Sequence, residues 1–375
     1  MTQHSVIETQ PAAPRSPNSP EDHVADPLGH ALLAQRLAQI PSVLADMLAR
    51  GPAPLKPATL LSTRFLITGT GSSEAHARYL VMLLNLYTDR AAMYLPLSGF
   101  TDVHRDGFSG KTLVVFSQGV SPNAQIALRR SRDFSHTILF TATTPAAALA
   151  AGKKDRAAML QALLNDGGEL IEFPLAEEYT TLIRFVGPMA GYLACLQFTA
   201  QLAGCRFRSP RGEEILPLLG AKPSEEFLAA MTQAAPHFAN GFNLVTAAPI
   251  SDFAQNLACK FMEGVFWPCP PISDFLQFAH GPFQQMTAHP HPVLILQGDS
   301  AIEAELVARS VKMLRDVGLD ALVLYVPAPP LISIFGFEAA LNSLVFEMMK
   351  SRGIDQVNWP GKGRDDLLYG FCPDL

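Results

Sequence analysis

Two short segments of this chain are dense in neutral hydrogen-bond donors. Gly69-Thr70-Gly71-Ser72-Ser73 follows the apolar run Phe65 to Thr68, and Ser117-Gln118-Gly119-Val120-Ser121-Pro122 follows Thr112 to Phe116. Glycines let a backbone turn with no Cβ in the way, a helix N-terminus offers unsatisfied N–H groups, and hydroxyls add donors. Together these make an anion cradle. Ser72, Ser73, Ser117, Gln118 and Ser121 lie in the two turns, with no basic residue in either. That set suits a phosphate monoester held by neutral donors. Taken singly, each serine is also a preferred helix N-cap. The pairing of two such loops favours the anion site.

Three other places hold ionisable groups at suggestive positions. Lys260 and Glu263 stand three apart in AQNLACKFMEG, a spacing that puts both on one helical face. His280 sits in FAHGP, and Lys362 lies between Gly361 and Gly363. Each has a plainer reading: a surface ion pair, a structural histidine before a Gly-Pro turn, a solvated basic tail. His289 and His291 have no metal-like companions and carry no role.

The elements that would position these residues follow from hydrophobic patterning. Residues 1–26, with Pro11, Pro14, Pro17 and Pro20 among polar residues, read as a disordered tail. The segment from Pro27 to Arg50 reads as two helices separated at Pro41. Strands are expected at Phe65–Thr68, Thr112–Phe116, Thr137–Thr143 and Glu169–Phe173. A helix with Ala75, Tyr79, Met82 and Leu86 on one face follows the first strand, and a long apolar helix spans Val186 to Leu202. A polar stretch, residues 206–224, reads as a linker between a first domain, 27–205, and a second, 225–375. The plan then restarts with strands at Phe242–Thr246, Pro292–Gln297 and Ala321–Val326, and helices at Asp252–Phe266 and Phe337–Ser351. The repeat, offset by roughly 180 residues, points to a duplicated α/β unit with parallel sheets flanked by helices, doubly wound and flavodoxin-like. Ligands in such sheets sit at the carboxyl ends of the strands, where both hydroxyl-rich loops fall.

Composition narrows the function. A net charge of −6 over 375 residues offers no basic excess for nucleic acid. Five scattered cysteines with no CxxC pair argue against a disulfide framework or a structural zinc site. No apolar run approaches membrane-spanning length and no signal-peptide core opens the chain, so a cytoplasmic protein without a membrane partner is expected.

GTGSSEAHA after a strand, SQGVSP after the next, and a later HGP resemble the sugar isomerase (SIS) domain family. The duplicated arrangement is similar to the isomerase half of glutamine–fructose-6-phosphate aminotransferase and to SIS-type sugar-phosphate deaminases and deglycases, over about residues 30 to 370. The resemblance implies two tandem SIS domains and a phosphate held by Ser72, Ser73, Ser117, Gln118 and Ser121. It implies that Glu263, preceded by Lys260, moves a proton between C1 and C2 of an open-chain sugar, that His280 assists ring opening, and that Lys362, six residues after Asp355-Gln356, comes near the sugar. It further implies a homodimer with no metal or organic cofactor. The implied activity is that of an isomerase or deaminase on an amino sugar phosphate resembling glucosamine 6-phosphate. A non-catalytic sugar-phosphate sensor, and a deglycase or lyase on another amine adduct, are the alternatives.

The chain also departs from the family pattern. Ser117-Gln118-Gly119-Val120-Ser121-Pro122 replaces Ser-Gln-Ser-Gly-Glu-Thr, one residue shorter to the last hydroxyl, and Glu178-Tyr-Thr-Thr-Leu-Ile-Arg-Phe replaces Glu-Ile-Gly-Val-Ala-Ser-Thr-Lys, altering the pocket wall. No glutaminase unit or N-terminal cysteine nucleophile is seen before the first strand, so glutamine hydrolysis is not expected.

Overall fold

The computed structural model describes residues 26–101, 107–175, 178, 180–319 and 321–371. All of the expected 1–26 tail except Asp26 lies outside the described residues.

Among the described residues, nine short strands form two parallel sheets. The first contains β1 (Arg64–Thr68), β2 (Ala91–Tyr94), β3 (Thr112–Phe116), β4 (His136–Thr141) and β5 (Glu169–Glu172), in the order β2-β1-β3-β4-β5. Phe65 stands opposite Thr112, Thr112 opposite His136, and Ile138 opposite Glu169. The second contains β6 (Asn243–Thr246), β7 (Ile272–Asp274), β8 (Val293–Gln297) and β9 (Ala321–Tyr325), in the order β7-β6-β8-β9. In each sheet the second strand lies on one side of the first and the third on the other, so both reverse direction beside their first strand. The duplication expected from the sequence is thus present in the topology. β2 and β7 escape a search for apolar runs because both are short sheet edges, and half of β2 is exposed.

The period-two alternation along each strand sorts the core into three layers. Phe65, Ile67, Val114, Phe116, Ile138 and Phe140 face the same central core as Leu244, Leu294, Leu296 and Leu324 of the second sheet. Leu66, Leu113, Val115 and Leu139 face an outer layer on the first sheet, and Val245, Val293 and Ile295 face an outer layer on the second. Between the sheets lie α2 (Ser72–Tyr87), α4 (Val186–Ala203), α5 (Gln255–Val265) and α6 (Ser333–Arg352), while α3 (Pro122–Arg129) covers the outside of the first sheet. In α4 every residue but Ala200 and Gln201 is buried, as a helix apolar on all sides must be. The halves are joined through this layer, where the Tyr79 hydroxyl of α2 donates to the Leu331 carbonyl at 2.8 Å.

Three expectations change. The segment containing Pro41 is one helix, α1 (His30–Arg50). Proline removes a bond and costs about 3 kcal/mol, but Leu33, Ile40, Leu44 and Met47 lie on one buried stripe across it. At roughly 1.5–3 kcal/mol per buried apolar side chain, continuity of that stripe prevails. Leu86, expected on the buried face of α2, lies in its last turn beyond the core and is exposed. The stretch 206–224 carries a short helix, Gly212–Ile215, whose Ile215 is fully buried in the central core.

Candidate active site

The turn after β1 is built by close approach. A Cβ on Gly69 would come within 2.4 Å of the Ser73 carbonyl oxygen, and Gly71 adopts φ +61° as the N-cap of α2. Tyr94, at the end of β2, donates its hydroxyl to the Gly69 carbonyl at 3.0 Å and clamps the turn. Arg78 stacks over the Tyr94 ring and pairs with Glu74 at 2.8 Å. Ser72 and Ser73 are half-buried at the helix N-terminus, and their hydroxyls make no hydrogen bond among the described residues.

The turn after β3 uses its hydroxyls internally. Ser117 Oγ accepts from the Ser121 N–H at 3.0 Å, and Ser121 Oγ caps α3 by accepting from the Ala124 N–H at 3.4 Å. A hydroxyl that accepts one bond keeps its own proton to donate, so the capping role and an anion-binding role coexist. Gln118 is different. Its amide nitrogen donates to the Leu175 carbonyl at 2.9 Å and to Glu178 Oε2 at 3.2 Å, which occupies both protons. The Gln118 side chain, expected at the phosphate, here braces the loop through both amide protons.

Glu178 is the joint between the turn after β3 and the start of α4. Its carboxylate is buried and accepts three backbone N–H groups at 2.8 Å each, from Phe185, Val186 and Gly187 at the start of α4. The helix dipole and these orphan donors hold the charge there, with the Arg36 guanidinium of α1 nearby. Glu178→Ala is expected to lower the urea-denaturation free energy by about 2–3 kcal/mol, because it uncaps α4 and leaves buried donors unpaired. Glu178→Gln is expected to recover part of that loss.

From Glu178 the chain runs through Arg184 to the ionisable cluster on α5. The Glu263 carboxyl lies close to Arg184 and Lys260, yet burial outweighs their pull and raises it to about 7. Lys260 does not pair with Glu263. Its ammonium is buried against Glu338 of α6 at 2.6 Å, and Asn256 donates to the other oxygen of the same carboxylate. Gln356, also fully buried, ties the C-terminal segment to this cluster: its amide donates to the Glu263 carbonyl at 2.9 Å and accepts from the Ile183 N–H at 3.1 Å.

His280 and Lys362 lie elsewhere. His280 ends the helix Phe275–Ala279 and is exposed, beyond a segment whose Phe275 and Phe278 pack on the outer face of the second sheet. Lys362 is exposed, donates to the Val357 carbonyl at 2.6 Å and lies over the Trp359 ring. A cavity of about 810 Å³ runs beside the edge strand β5 between residues 50–56 and α4. None of the proposed phosphate or proton-transfer residues lines it.

No family model matches the sequence, and no curated protein matches it. Solved structures do match. The C-terminal domain of glucosamine-fructose-6-phosphate aminotransferase from Francisella tularensis superposes with a TM-score of 0.65 at 14% identity, covering 86% of this chain and 97% of that one. Tagatose-6-phosphate ketose/aldose isomerase from Escherichia coli gives 0.62 at 14% identity, over 87% and 94% of the two chains. Glucosamine-6-phosphate deaminase from Thermotoga maritima gives 0.59 at 17% identity, over 88% and 96%. The chain has the SIS-type sugar isomerase fold.

Within that SIS fold, the two hydroxyl loops fall at the carboxyl ends of β1 and β3, on either side of the point where the first sheet reverses. Glu263, close to Arg184, is linked to the turn after β3 through the neighbouring Phe185 N–H, Glu178 and Gln118. Three contributors went unassigned in the sequence reading. Glu338 is a lone acid in the apolar run SIFGFEAALNSL, a pattern that calls for a buried partner. Gln356 stands in the Asp-Gln pair six residues before Lys362, where its type alone does not mark it as a buried anchor. His76, in SSEAHA, gave no signal as an isolated residue. Burial pushes His76 down to about 4, so its neutral ring donates Nε2–H to the Pro188 carbonyl at 2.7 Å and packs edge-on to Tyr192. It joins α2 to α4.

Among the described residues no helix is long and apolar enough to cross a membrane.

Proposed function

We propose that the chain is a phosphosugar aldose–ketose isomerase or deaminase acting on an amino sugar phosphate of the glucosamine 6-phosphate type. The observation that supports it best is Glu263, a carboxyl held near neutrality by burial and linked through Arg184, Phe185 and Glu178 to the hydroxyl-rich turn after β3. A group with a pKa near 7 can take a proton and give it back at physiological pH. The fold shared with a deaminase, an isomerase and an aminotransferase domain is consistent with that class of substrate.

In this reading the phosphate rests on Ser72, Ser73, Ser117, Ser121 and the N-terminus of α2. The Glu263 carboxylate removes the proton from C2 of the open-chain aldose and returns it to C1. With an amine on C2, the product tautomer is an imine, which water hydrolyses to the ketose with loss of ammonia. The exposed position of His280 fits a homodimer in which the imidazole serves the site of a second copy. The competing reading is a non-catalytic sensor. It is favoured by one observation: Lys260 is committed to Glu338 and withdrawn from the solvent side of α5.

The test is incubation of the protein in D₂O with glucosamine 6-phosphate and then fructose 6-phosphate, followed by NMR and an ammonia assay. Deuterium at C1 or C2 with ammonia release is the expected result. Binding of both sugars, seen as a raised melting temperature, with no exchange would replace the enzyme by the sensor. If neither binds, the substrate class is wrong.

A further inference from the structure

Helix α5 carries a second chemical feature one residue from Lys260. Cys259 is buried on the helix, and Cys269 is exposed in the loop Trp267-Pro268-Cys269-Pro270-Pro271 that follows it. The Gln255 amide donates to both sulfurs, at 3.5 Å to Cys259 and 3.8 Å to Cys269, so the two thiols gather around one donor. Three prolines beside Cys269 restrict its backbone, and the Trp267 N–H bonds to the Phe261 carbonyl at 3.2 Å, so the loop is folded back on the helix. Cys269 also lines a cavity of about 240 Å³ with Asn240, Phe242, Met286 and His291, which gives a small oxidant an approach.

We propose that Cys259 and Cys269 form an oxidisable dithiol, a modification site at which peroxide closes a disulfide between α5 and the loop after it. The Cys269 thiolate attacks one peroxide oxygen, the O–O bond breaks, hydroxide leaves, and the sulfur becomes a sulfenic acid. The Cys259 thiol then attacks that sulfur. The S–O bond breaks, the S–S bond forms, and the hydroxyl departs as water with the thiol proton. Two electrons pass from the two sulfurs to peroxide.

The electrostatics divide the two roles. Hydrogen bonding from Cys259 is the main pull that brings Cys269 down to about 7, and the Gln255 amide adds to it. The same bond and burial push Cys259 far up, so it stays a thiol until Cys269 is oxidised. Cys269 is the attacking sulfur and Cys259 the resolving one. At pH 7 Cys269 is about half thiolate, against roughly 3% for an ordinary thiol near 8.5. A weaker base is a weaker nucleophile, and with a Brønsted slope of about 0.45 the net gain is only about threefold. The pH midpoint of the reaction is therefore the sharper readout than the rate.

The experiment uses the full chain. After treatment with equimolar hydrogen peroxide and alkylation of the remaining thiols, trypsin cuts at Lys260 and puts the two cysteines on separate peptides. The expected result is one crosslink joining them, removed by dithiothreitol, while Cys259→Ser stops at a dimedone-trappable sulfenic acid on Cys269. Iodoacetamide should modify Cys269 with a midpoint near pH 7, moving toward 8.5 in Cys259→Ser. Oxidation of Cys205 or Cys372 with no 259–269 crosslink would overturn the proposal, as would a wild-type midpoint near 8.5. None of these readouts depends on the sugar chemistry proposed above.

Discussion

Glu263→Gln is expected to slow deuterium exchange at C1 and C2 by about 10²–10⁴-fold, the range contributed by a positioned general base. Glutamine keeps the size and the polar end of the side chain but cannot take a proton. The hydroxyl loops proposed to hold phosphate are untouched, so the melting-temperature rise with glucosamine 6-phosphate should persist. The pH profile carries the same argument. With Glu263 lifted to about 7 by burial, the fraction of active base grows as pH rises, and exchange should climb through a midpoint near 7. Stability runs the other way. The folded chain binds a proton at Glu263 up to about pH 7, whereas the unfolded chain releases it near 4.5. Between those values folding is favoured by low pH, and stability falls as pH rises. Relative to Glu263→Gln, the wild type should lose on the order of 3 kcal/mol in urea denaturation between pH 5 and pH 8. A flat exchange profile from pH 5 to 9, or a glutamine variant with more than a tenth of the wild-type exchange, would remove Glu263 from the reaction.

The parts legible in the sequence were those governed by local pattern. Apolar runs ending in glycine or serine located β1 and β3 and their turns, and the repeated order of elements located the second sheet. What stayed hidden depends on contacts distant along the chain. Three residues apart on a helix places Lys260 and Glu263 on neighbouring positions, but which neighbour Lys260 pairs with is decided by α6. Neither the functional reading nor the plainer one of a surface ion pair anticipated a buried lysine bound to Glu338. Gln118 illustrates the same limit. Its type fits a phosphate donor, and only its bonds to Leu175 and Glu178 show that its protons are engaged. Pro41 failed as a helix boundary because a continuous buried stripe outweighed one missing hydrogen bond.

Glu338→Ala is expected to cost about 3–5 kcal/mol of stability, the largest loss from a single side chain in this site. The Lys260 ammonium lies against Glu338 at 2.6 Å inside the central core, and both side chains are almost completely shielded from solvent. Removing the carboxylate leaves an uncompensated buried charge and frees the Asn256 amide as well. Much of that cost belongs to the orphaned lysine and not to the pair itself. Lys260→Met combined with Glu338→Leu should therefore recover most of the loss, since apolar replacements of similar volume remove both desolvation penalties. Urea denaturation of the two variants checks this directly. A cost below about 1 kcal/mol for Glu338→Ala would mean that Lys260 reaches water when unpaired, contrary to its burial here. The double variant also separates stability from chemistry. If Lys260 assists Glu263 through its charge, the double variant folds yet loses exchange, and its pH midpoint rises slightly above 7, because losing the pull of Lys260 outweighs losing the smaller opposing push of Glu338. If exchange survives at the wild-type rate and midpoint, the buried pair is a structural fixture of the layer between the sheets and Glu263 works with Arg184 alone.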